Sequence, residues 1–566
     1  MTNVLRWAIF SSFCSSLSLA CAHSKSNSAA RESRIPIKTG QRPCKLVKTS
    51  EEAGFKACEC SESHCDDFVL YPFEKLGPNE VLIVESNKEG KRFEQTKLSW
   101  SEQDVENADI TMVIDPSKKR QKLFGFGAAF TDSAGYNLNS LPEKAQQNLM
   151  DSYFNPTGGL GYTMGRVPMA ASDFSLNFYT YDDVEGDFEL RHFALTKADF
   201  DYKIKYIKWA QELSGRKLDL LTTPWYVPEW LSRDNPTQTH VGGSNVTGIY
   251  YKAWAEYFVR FLQEYRKQGL QFWGLSTANL GGLATVMANP LPNQVGFPPE
   301  VMREFVKRFL GPTLDAAGLG DLKLVILDDV RLSLLMEYPQ KVYSDPEARA
   351  YADGAGMHPY WDSVVGPEAQ DYLHKTNPDK FIFICLVHVL LLYIHLHFIF
   401  LLESEAGATT GIKILLGRGT RASNGNWNNA EMYASEIIEN LNHWMTAYVD
   451  WNLAVDMEGG PNRINNNMTA AILVDGNAGK FYKQPIFYAM GHFSKFLPPG
   501  SRIVETLSNQ HTKNVQVMAA VTPSGQTAAF LANATPYEQS VCEGWRATLT
   551  QCMTIDKYEW DIESND

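Results

Sequence analysis

The chain has 566 residues, of which 44% are hydrophobic and 21% are charged, so it is long enough to bury the cores of two or three globular domains. Its 30 Phe, 25 Tyr and 13 Trp can also supply aromatic rings to a binding cleft. The 65 acidic residues outnumber the 52 basic ones and give a net charge of −13, which argues against a nucleic-acid partner and provides no attraction to anionic lipid.

The first 22 residues are predicted to be a secretory signal peptide. An uncharged run from Trp7 to Leu19 follows a single arginine, and cleavage is expected after Ala22, where small residues stand. A membrane anchor is the less favoured interpretation because the run is short for a bilayer span. Three sequons suit the secretory pathway and are predicted glycosylation sites: Asn245, Asn467 and Asn533.

Seven cysteines remain after this cleavage, and four of them form a tight cluster near the N-terminus. A cluster of this kind can bind a metal or form disulfides, and a secreted context favours disulfides. Cys385 is the odd cysteine, and it lies in an anomalous apolar segment. The clustered residues are Cys44, Cys58, Cys60 and Cys65.

Two types of strand pattern follow along the chain. From Glu80 to Asp115 apolar and polar residues alternate in short runs, which predicts antiparallel strands. From Lys122 apolar runs of strand length alternate with longer segments of helical period, the pattern of parallel strands joined by helices. The predicted parallel strands are 124–130, 161–170, 218–230, 270–280, 322–330, 354–361, the run that reaches Glu405, and 446–455.

Eight such units predict a (β/α)8 barrel. An open doubly wound sheet is the alternative, but the glycine-rich phosphate loop of a nucleotide site does not follow the first strand. From Ile472 to Asp566 short strand patterns return. These strands are expected to pair with the N-terminal ones in sheets beside the barrel, because strand edges need to be covered.

Polar and aromatic residues gather at the predicted C-terminal strand ends, where barrel enzymes hold their active sites. Glu405, in the segment LLESEAG, is the candidate nucleophile, although a glutamate there could instead cap the next helix or face solvent. Carboxylates and amides bind hydroxyl groups and tryptophan rings stack on a pyranose, so the set predicts a sugar site. The other members are Asp132, Arg166, Asp173, Trp225, Trp230, Trp273, Asn279, Asp328, Asp329, Arg331, His358, Tyr360, Trp451 and Asn452, among which Asp328, Asp329 and Arg331 are expected to form an internal ion-pair network.

The chain resembles the glucosylceramidases of glycoside hydrolase family thirty, from about Arg42 to the C-terminus. The resemblance lies in the segments GFGAAFTD, GRVPMAASDFSLNFYTYDD, TTPWYVPEWL, LDDVRL, WNLAVDMEGGPN and FYKQPIFYAMGHFSKFLPPGS. It implies a (β/α)8 barrel, a β-sandwich built from both chain ends and a small disulfide-bearing sheet. It also implies hydrolysis of glucosylceramide with retention, in the lysosome or after secretion, at a membrane surface, with a saposin-like activator and without a metal or cofactor.

The same resemblance assigns residues and domains. It makes Glu405 the nucleophile and pairs Cys44 with Cys58 and Cys60 with Cys65. The predicted domains are residues 40–66 with 453–485 (small sheet), 67–118 with 500–566 (sandwich) and 119–452 with 486–499 (barrel). The substrate-binding positions that match by motif are Arg166, Asp173, Trp225, Asn279, His358, Tyr360, Trp451 and Asn466.

The sequence departs from the family pattern at the general acid. A retaining glycosidase uses two carboxyl groups about 5–5.5 Å apart, and in the family the acid is the Glu of an Asn-Glu-Pro motif at the end of strand four. This chain has STANLGG there, so Leu280 stands in place of the acid, and no Asp or Glu occurs between Gln271 and Pro299. The activity predicted by the resemblance therefore has a catalytically inactive glucoside- or glycolipid-binding protein as its alternative.

A second departure is the charge-free segment from Phe381 to Leu402, within predicted strand seven. A barrel strand needs only about five or six residues, so residues 382–400 are interpreted as an insertion. A translated intron is the favoured explanation and a genuine inserted helix is the second. The least favoured is a membrane span, which the length of the segment would permit.

Overall fold

The computed structural model describes residues 4–10, 35–49, 55–77, 80–99, 110–232, 248–282, 295–360, 362, 365–385, 423–464, 467–509, 515–534, 540–545 and 550–554. In these ranges the strands form one closed barrel and two further sheets. The helices are Asp132–Asn139, Glu143–Phe154, Asp199–Ile204 continuing into Lys205–Ser214, Ile249–Lys267, Pro299–Phe305 continuing through Val306–Leu310 and Gly311–Ala316, Leu332–Leu335, Tyr338–Tyr343, Pro346–Tyr351, Glu368–Thr376, Trp427–Asn442 and Pro485–Phe496, with short 3-10 turns at Phe73–Lys75 and Glu229–Leu231.

Eight parallel strands close the barrel, which confirms the predicted (β/α)8 fold. The strands are β1 (Gly125–Ala129), β2 (Met164–Met169), β3 (Asp219–Pro224), β4 (Phe272–Ser276), β5 (Lys323–Val330), β6 (Gly354–His358), β7 (Phe381–Cys385) and β8 (Met445–Asn452). Each pairs with the next in the chain, and β8 pairs with β1.

Close contact between β1 and β2 depends on glycine. Gly127 is the register partner of Met164, and a Cβ at Gly127 would lie 2.1 Å from the Met164 carbonyl oxygen. No side chain fits at that distance, so Gly127 permits the first two strands to approach.

The helix Ile249–Lys267 shows how the outer layer packs. Its aromatic and aliphatic residues recur at three- and four-residue spacing, which places them on one face. These residues are all buried: Trp254, Tyr257, Phe258, Phe261, Leu262 and Tyr265.

The start of predicted strand seven is confirmed. The first five residues of the apolar run, FIFIC, form β7 and pair with β6 and β8. The predicted strand continues to Glu405, and the structure describes it as far as Cys385. Glu405 and residues 386–422 lie outside the described residues. Among those described, no helix combines the length and the apolar character that a bilayer span requires.

Strands from both ends of the chain share two accessory sheets, as predicted. The five-stranded sheet contains Val455–Asp456, Ile472–Asp475, Lys480–Lys483, Lys56–Cys60 and Leu46–Lys48, in that spatial order. The ten-stranded sheet contains, in spatial order, Ile35–Pro36, Glu94–Ser99, Glu80–Asn87, Val4–Phe10, Thr527–Asn533, Val515–Val521, Arg502–Ser508, Ile110–Lys122, Ser540–Trp545 and Thr550–Thr554.

One of these strands lies inside the predicted signal peptide. Val4–Phe10 pairs antiparallel with Glu80–Asn87 on one side and with Thr527–Asn533 on the other. Cleavage after Ala22 would remove it from the sheet. That cleavage stays a prediction.

The small sheet carries both predicted disulfides. Cys44 is bonded to Cys58, and Cys60 is bonded to Cys65. The pairing implied by the resemblance is therefore confirmed. With their sulfurs in disulfides, these cysteines are not available as thiolate ligands for a metal.

Candidate active site

A buried arginine holds the centre of the site together. Arg166, on β2, is fully buried and donates from Nη2 to Oδ1 of Asn279 at 2.9 Å and to Oδ2 of Asp328 at 2.7 Å. Thr223, at the end of β3, donates to the same Asp328 oxygen at 3.2 Å. Four strands thus bring their polar residues to one point inside the barrel mouth.

The next strand adds a histidine to this group. Nε2 of His358, at the end of β6, lies 2.8 Å from Oδ1 of Asp328, and both side chains are fully buried. Burial lowers the pKa of His358, and the hydrogen bond to Asp328 opposes that shift. The lowered pKa favours the neutral imidazole, and the short Nε2–Oδ1 distance fits an Nε2–H that donates to the carboxylate. Nδ1 of His358 has no hydrogen-bond partner among the residues described.

Two tryptophans cover the polar group. The rings of Trp225, after β3, and Trp451, on β8, stack at 5.0 Å between centroids. The guanidinium of Arg166 lies 4.6 Å from the first ring and 5.5 Å from the second, within cation–π range. Within the described part of the chain, the buried Nε1 of Trp451 has no acceptor. A donor of this kind is suited to a ligand hydroxyl.

The loop after β2 contributes Asp173, whose exposed fraction is 8%. The backbone of Arg463 donates to the Asp173 carbonyl oxygen at 3.0 Å and so ties this loop to the segment after β8. Tyr360 lies beyond β6 with its ring 5.6 Å from the His358 ring. Seven of the eight predicted substrate-binding residues thus lie in contact with one another or border the same mouth. The eighth, Asn466, is outside the described residues, as is Glu405.

Leu280 has an unusual backbone conformation. Its φ is +52°, a left-handed value that is uncommon for a residue with a side chain and is often found at functional sites. Its N–H donates to the Asp328 carbonyl oxygen at 2.8 Å, and the N–H of Asn279 donates to the Pro224 carbonyl oxygen at 3.0 Å. The turn after β4 is therefore anchored to both neighbouring strands, with a leucine side chain at the position expected for the acid.

Some members of the predicted sugar site have other roles. Trp273 stands at the start of β4, at the opposite end of the barrel, where its ring packs against Phe124 and Phe381. The prediction that placed it with the catalytic strand ends is wrong, because strand four begins only at Phe272 and position 273 therefore lies at its N-terminal end.

The expected Asp328–Asp329–Arg331 network is divided between two places. Asp328 pairs with Arg166 inside the barrel. Arg331 pairs with Asp362 at 3.0 Å and with Glu439 at 2.8 Å, on the side of the helix Trp427–Asn442. Neighbouring positions at the end of β5 thus serve two separate clusters.

Asp132, which was expected at the sugar site, belongs instead to a buried polar cluster around Lys203 that the sequence did not predict. It lies 3.3 Å from Nζ of Lys203, and that ammonium also donates to the carbonyl oxygens of Pro168 and Ala170 at 3.1 and 2.9 Å. Lys203 therefore holds the C-terminal end of β2 in place through these two hydrogen bonds. It is remote in sequence from every motif, so no signal in the chain pointed to it.

Two predicted glycosylation sites fall within the described residues. Asn467 is half-buried. Asn533 is 4% exposed and lies on a strand that is hydrogen-bonded to a neighbouring strand along each of its two edges. A glycan on Asn533 would require that strand to be displaced. Asn245 is outside the described residues.

Comparison with known proteins identifies the family. The Glycosyl hydrolase family 30 TIM-barrel domain matches residues 123–389 and 393–497, so the chain belongs to glycosyl hydrolase family 30. It is 37% identical to "Putative glucosylceramidase 3" of Caenorhabditis elegans, over 79% of this chain and 81% of that protein. It is 33% identical to the lysosomal acid glucosylceramidase of Mus musculus, over 92% of this chain and 96% of that protein.

Solved structures agree on the fold. The crystal structure of SrfJ from Salmonella typhimurium superposes with a TM-score of 0.68 at 22% identity, covering 83% of this chain and 95% of SrfJ. The fold and the family together define a glycosidase barrel similar to the glucosylceramidases.

Proposed function

We propose that this chain is a β-glucosidase of the glucosylceramidase type, with Glu405 as its nucleophile. The observation that carries the proposal is the buried group of Arg166, Asn279, Asp328 and His358 beneath the paired tryptophans, at the C-terminal ends of a family 30 barrel. The substrate would be a β-glucoside with a lipid aglycone, such as glucosylceramide, because two relatives that are 37% and 33% identical to this chain carry that activity in their names.

The described residues have distinct roles in this proposal. Arg166 donates to Oδ1 of Asn279 and so orients this amide at the barrel mouth, where Asn279 would contact a sugar hydroxyl. Trp451 offers its Nε1 to a second hydroxyl, and Asp173 accepts from a third. Arg166 also holds positive charge close to where the carboxylate of Glu405 would act, favouring its ionised form.

The reaction would form and break bonds at the anomeric carbon. Glu405 attacks that carbon, the aglycone oxygen leaves, and water then releases glucose with retained configuration. With Leu280 opposite, the leaving oxygen must depart without a proton from a positioned acid, an assistance worth about 10²–10⁴ in rate. Turnover of an unactivated lipid glucoside is therefore expected to be slow.

The cellular context belongs to the same proposal. It includes a signal peptide, glycosylation at the sequons and a lysosomal or secreted location, of which the lysosomal location is supported by the name of the mouse relative. A saposin-like activator at the membrane surface would follow from the lipid substrate.

A covalent label tests the nucleophile. A fluorinated β-glucoside with a dinitrophenolate leaving group needs no protonation, so it is expected to leave one glucosyl adduct on the peptide that contains Glu405. Mass spectrometry should find the adduct in the wild type and in the matched control Glu403→Gln, and should not find it in Glu405→Gln. Labelling of Glu405→Gln would disprove the assignment.

Restoring the acid tests the second carboxyl position. Leu280→Glu is expected to raise turnover of an alkyl β-glucoside by about 10²–10⁴, with little change for the dinitrophenyl glucoside. Leu280→Gln is the matched control because its amide cannot donate a proton as an acid. An equal gain in both variants would show that position 280 acts by shape and not by proton transfer.

A glucoside-binding protein without activity is the second candidate. It is favoured by Leu280, which stands where the family has its acid. Binding of a non-hydrolysable β-glucoside, measured by calorimetry, without any adduct in the labelling experiment would support this candidate over the first.

A further inference from the structure

The loop after β2 contains a cluster of possible metal ligands that has no part in the proposed reaction. Residues 181–194 are closed into a compact loop by the backbone hydrogen bond from the Ala194 N–H to the Tyr181 carbonyl oxygen, 3.0 Å long. Inside it, one ligand atom from each of Asp182, Asp187 and His192 lies within 4.8 Å of the other two.

One carboxylate in this cluster is buried without a full set of partners. Asp182 is 2% exposed, and only its Oδ1 accepts a hydrogen bond, from the Val184 N–H at 3.3 Å. Its buried Oδ2 has no partner within the described ranges. An unsatisfied buried carboxylate oxygen is costly, and a bound cation is one way to satisfy it.

We propose that Asp182, Asp187 and His192 bind a divalent transition-metal cation, with Zn²⁺ as the best match. Two carboxylate oxygens and one imidazole nitrogen are common zinc ligands, and water would complete a tetrahedral site. The imidazole favours zinc over calcium and magnesium, which prefer oxygen ligands alone.

The present spacing is close to what such a site needs. Zinc–ligand bonds of about 2.0 Å place tetrahedral ligand atoms roughly 3.3 Å apart, and the three atoms already lie within 4.8 Å. Nδ1 of His192 lies 2.7 Å from Oδ2 of Asp187, so the cation would replace this hydrogen bond with two coordinate bonds. The His192 side chain is 61% exposed, which opens a path for the ion from solvent.

The loop is connected to the barrel mouth, which suggests what the cation would do. Nε1 of Trp230 donates to the Asp182 carbonyl oxygen at 2.9 Å, and the Phe188 ring packs edge-on against Trp230 at 5.3 Å. The Tyr181 hydroxyl accepts from the Ala170 N–H at 3.0 Å. A cation that closes this loop would therefore stabilise the segments that follow β2 and β3, and we assign it no step in the reaction.

The test uses the purified full-length protein after chelator treatment. Equilibrium dialysis against Zn²⁺ is expected to show about one more bound ion per chain in the wild type than in His192→Gln or Asp187→Asn. Zn²⁺ should also raise the Tm of the wild type by about 2–5 °C, and it should not raise that of the two variants. Asp183→Asn is the matched control, because Asp183 is the exposed neighbour of Asp182 and supplies no ligand.

His192→Gln keeps the experiment decisive even where a buried variant fails to fold, because His192 is on the surface. Equal zinc content in the wild type, His192→Gln and Asp187→Asn would overturn the proposal, as would loss of the ion in Asp183→Asn. Tighter binding of Ca²⁺ than of Zn²⁺ would overturn the assignment to a transition metal.

Discussion

Two buried clusters at the end of β5 each contain one arginine, but their charge balance differs. Inside the barrel, Arg166 pairs with the carboxylate of Asp328, which is also in contact with Thr223 and His358. Outside it, Arg331 is in contact with Asp362 and Glu439, and the half-buried Glu436 lies close enough to interact with all three.

The difference in charge balance decides how each cluster responds to protonation. Among the described residues of the inner cluster, the carboxylate of Asp328 faces the guanidinium of Arg166, so this pair is neutral without taking up a proton. In the outer cluster three carboxyl groups share one guanidinium, and burial raises the pKa of Asp362 to about 7 and that of Glu436 well above its ordinary value. The outer cluster is therefore expected to hold protons that the inner one does not.

The largest effect is expected from Asp328→Asn in the inner cluster. It would remove the carboxylate that pairs with the buried guanidinium of Arg166, and removing one partner of a buried ion pair costs about 3–5 kcal/mol. Urea unfolding of the variant and the wild type at one pH measures the loss. A loss below about 1 kcal/mol would show that Arg166 is solvated or paired elsewhere.

The second prediction concerns pH and the outer cluster. Because the folded-state pKa of Asp362 lies near 7 and the unfolded value near 3.9, the folded protein binds the extra proton. Stability is therefore greatest at acid pH and falls as the pH rises through this window. Between pH 5 and 7.5 the loss from Asp362 alone is about 2 kcal/mol.

Asp362→Asn is expected to remove that part of the pH dependence, as measured by urea unfolding across the same range. Asp379→Asn is the control, since Asp379 is 56% exposed and paired with Lys380, and it should leave the slope unchanged. An identical slope of the free energy of unfolding against pH in the wild type and in Asp362→Asn would show that other groups take up the protons. Asp450 is one such group, because burial also raises its pKa to about 7.

The smallest effect is expected from Glu439→Gln. The Glu439 side chain is 31% exposed, so water screens its pair with Arg331, and Asp362 remains as a counter-charge. The expected loss in the free energy of unfolding is below about 1 kcal/mol. A loss as large as that of Asp328→Asn would contradict the difference drawn between the two clusters.

Much of the fold followed from periodicity. Apolar runs of strand length, separated by helical segments, predicted the barrel, and seven of its strands were located in the right stretches. The start of the seventh lies in the predicted stretch, and its continuation towards Glu405 lies outside the described residues. The strands of the accessory sheets were expected from their alternation, but the order of those sheets was not predictable, because their partners are far apart in the chain.

A residue of the candidate site could be predicted where it lies at the end of a predicted strand and within a recognisable motif. Arg166, Asn279 and His358 were found in this way, and their contacts confirm that they lie together. Trp273 was misplaced because its position along the strand, and not its residue type, decides which barrel end it occupies. Thr223 and Lys203 were missed because both are ordinary residues whose partners come from other strands and loops.

The amino-acid sequence alone determined the barrel, the disulfide-bearing N-terminus, the family resemblance and the leucine in place of an acid, because each depends on residues that are close together in the chain. Only the tertiary structure decided which carboxylate faces which arginine and that three ligand atoms meet in the loop after β2. Ion pairs and ligand sets form between side chains that folding brings within a few ångströms, and separation along the chain does not record that distance.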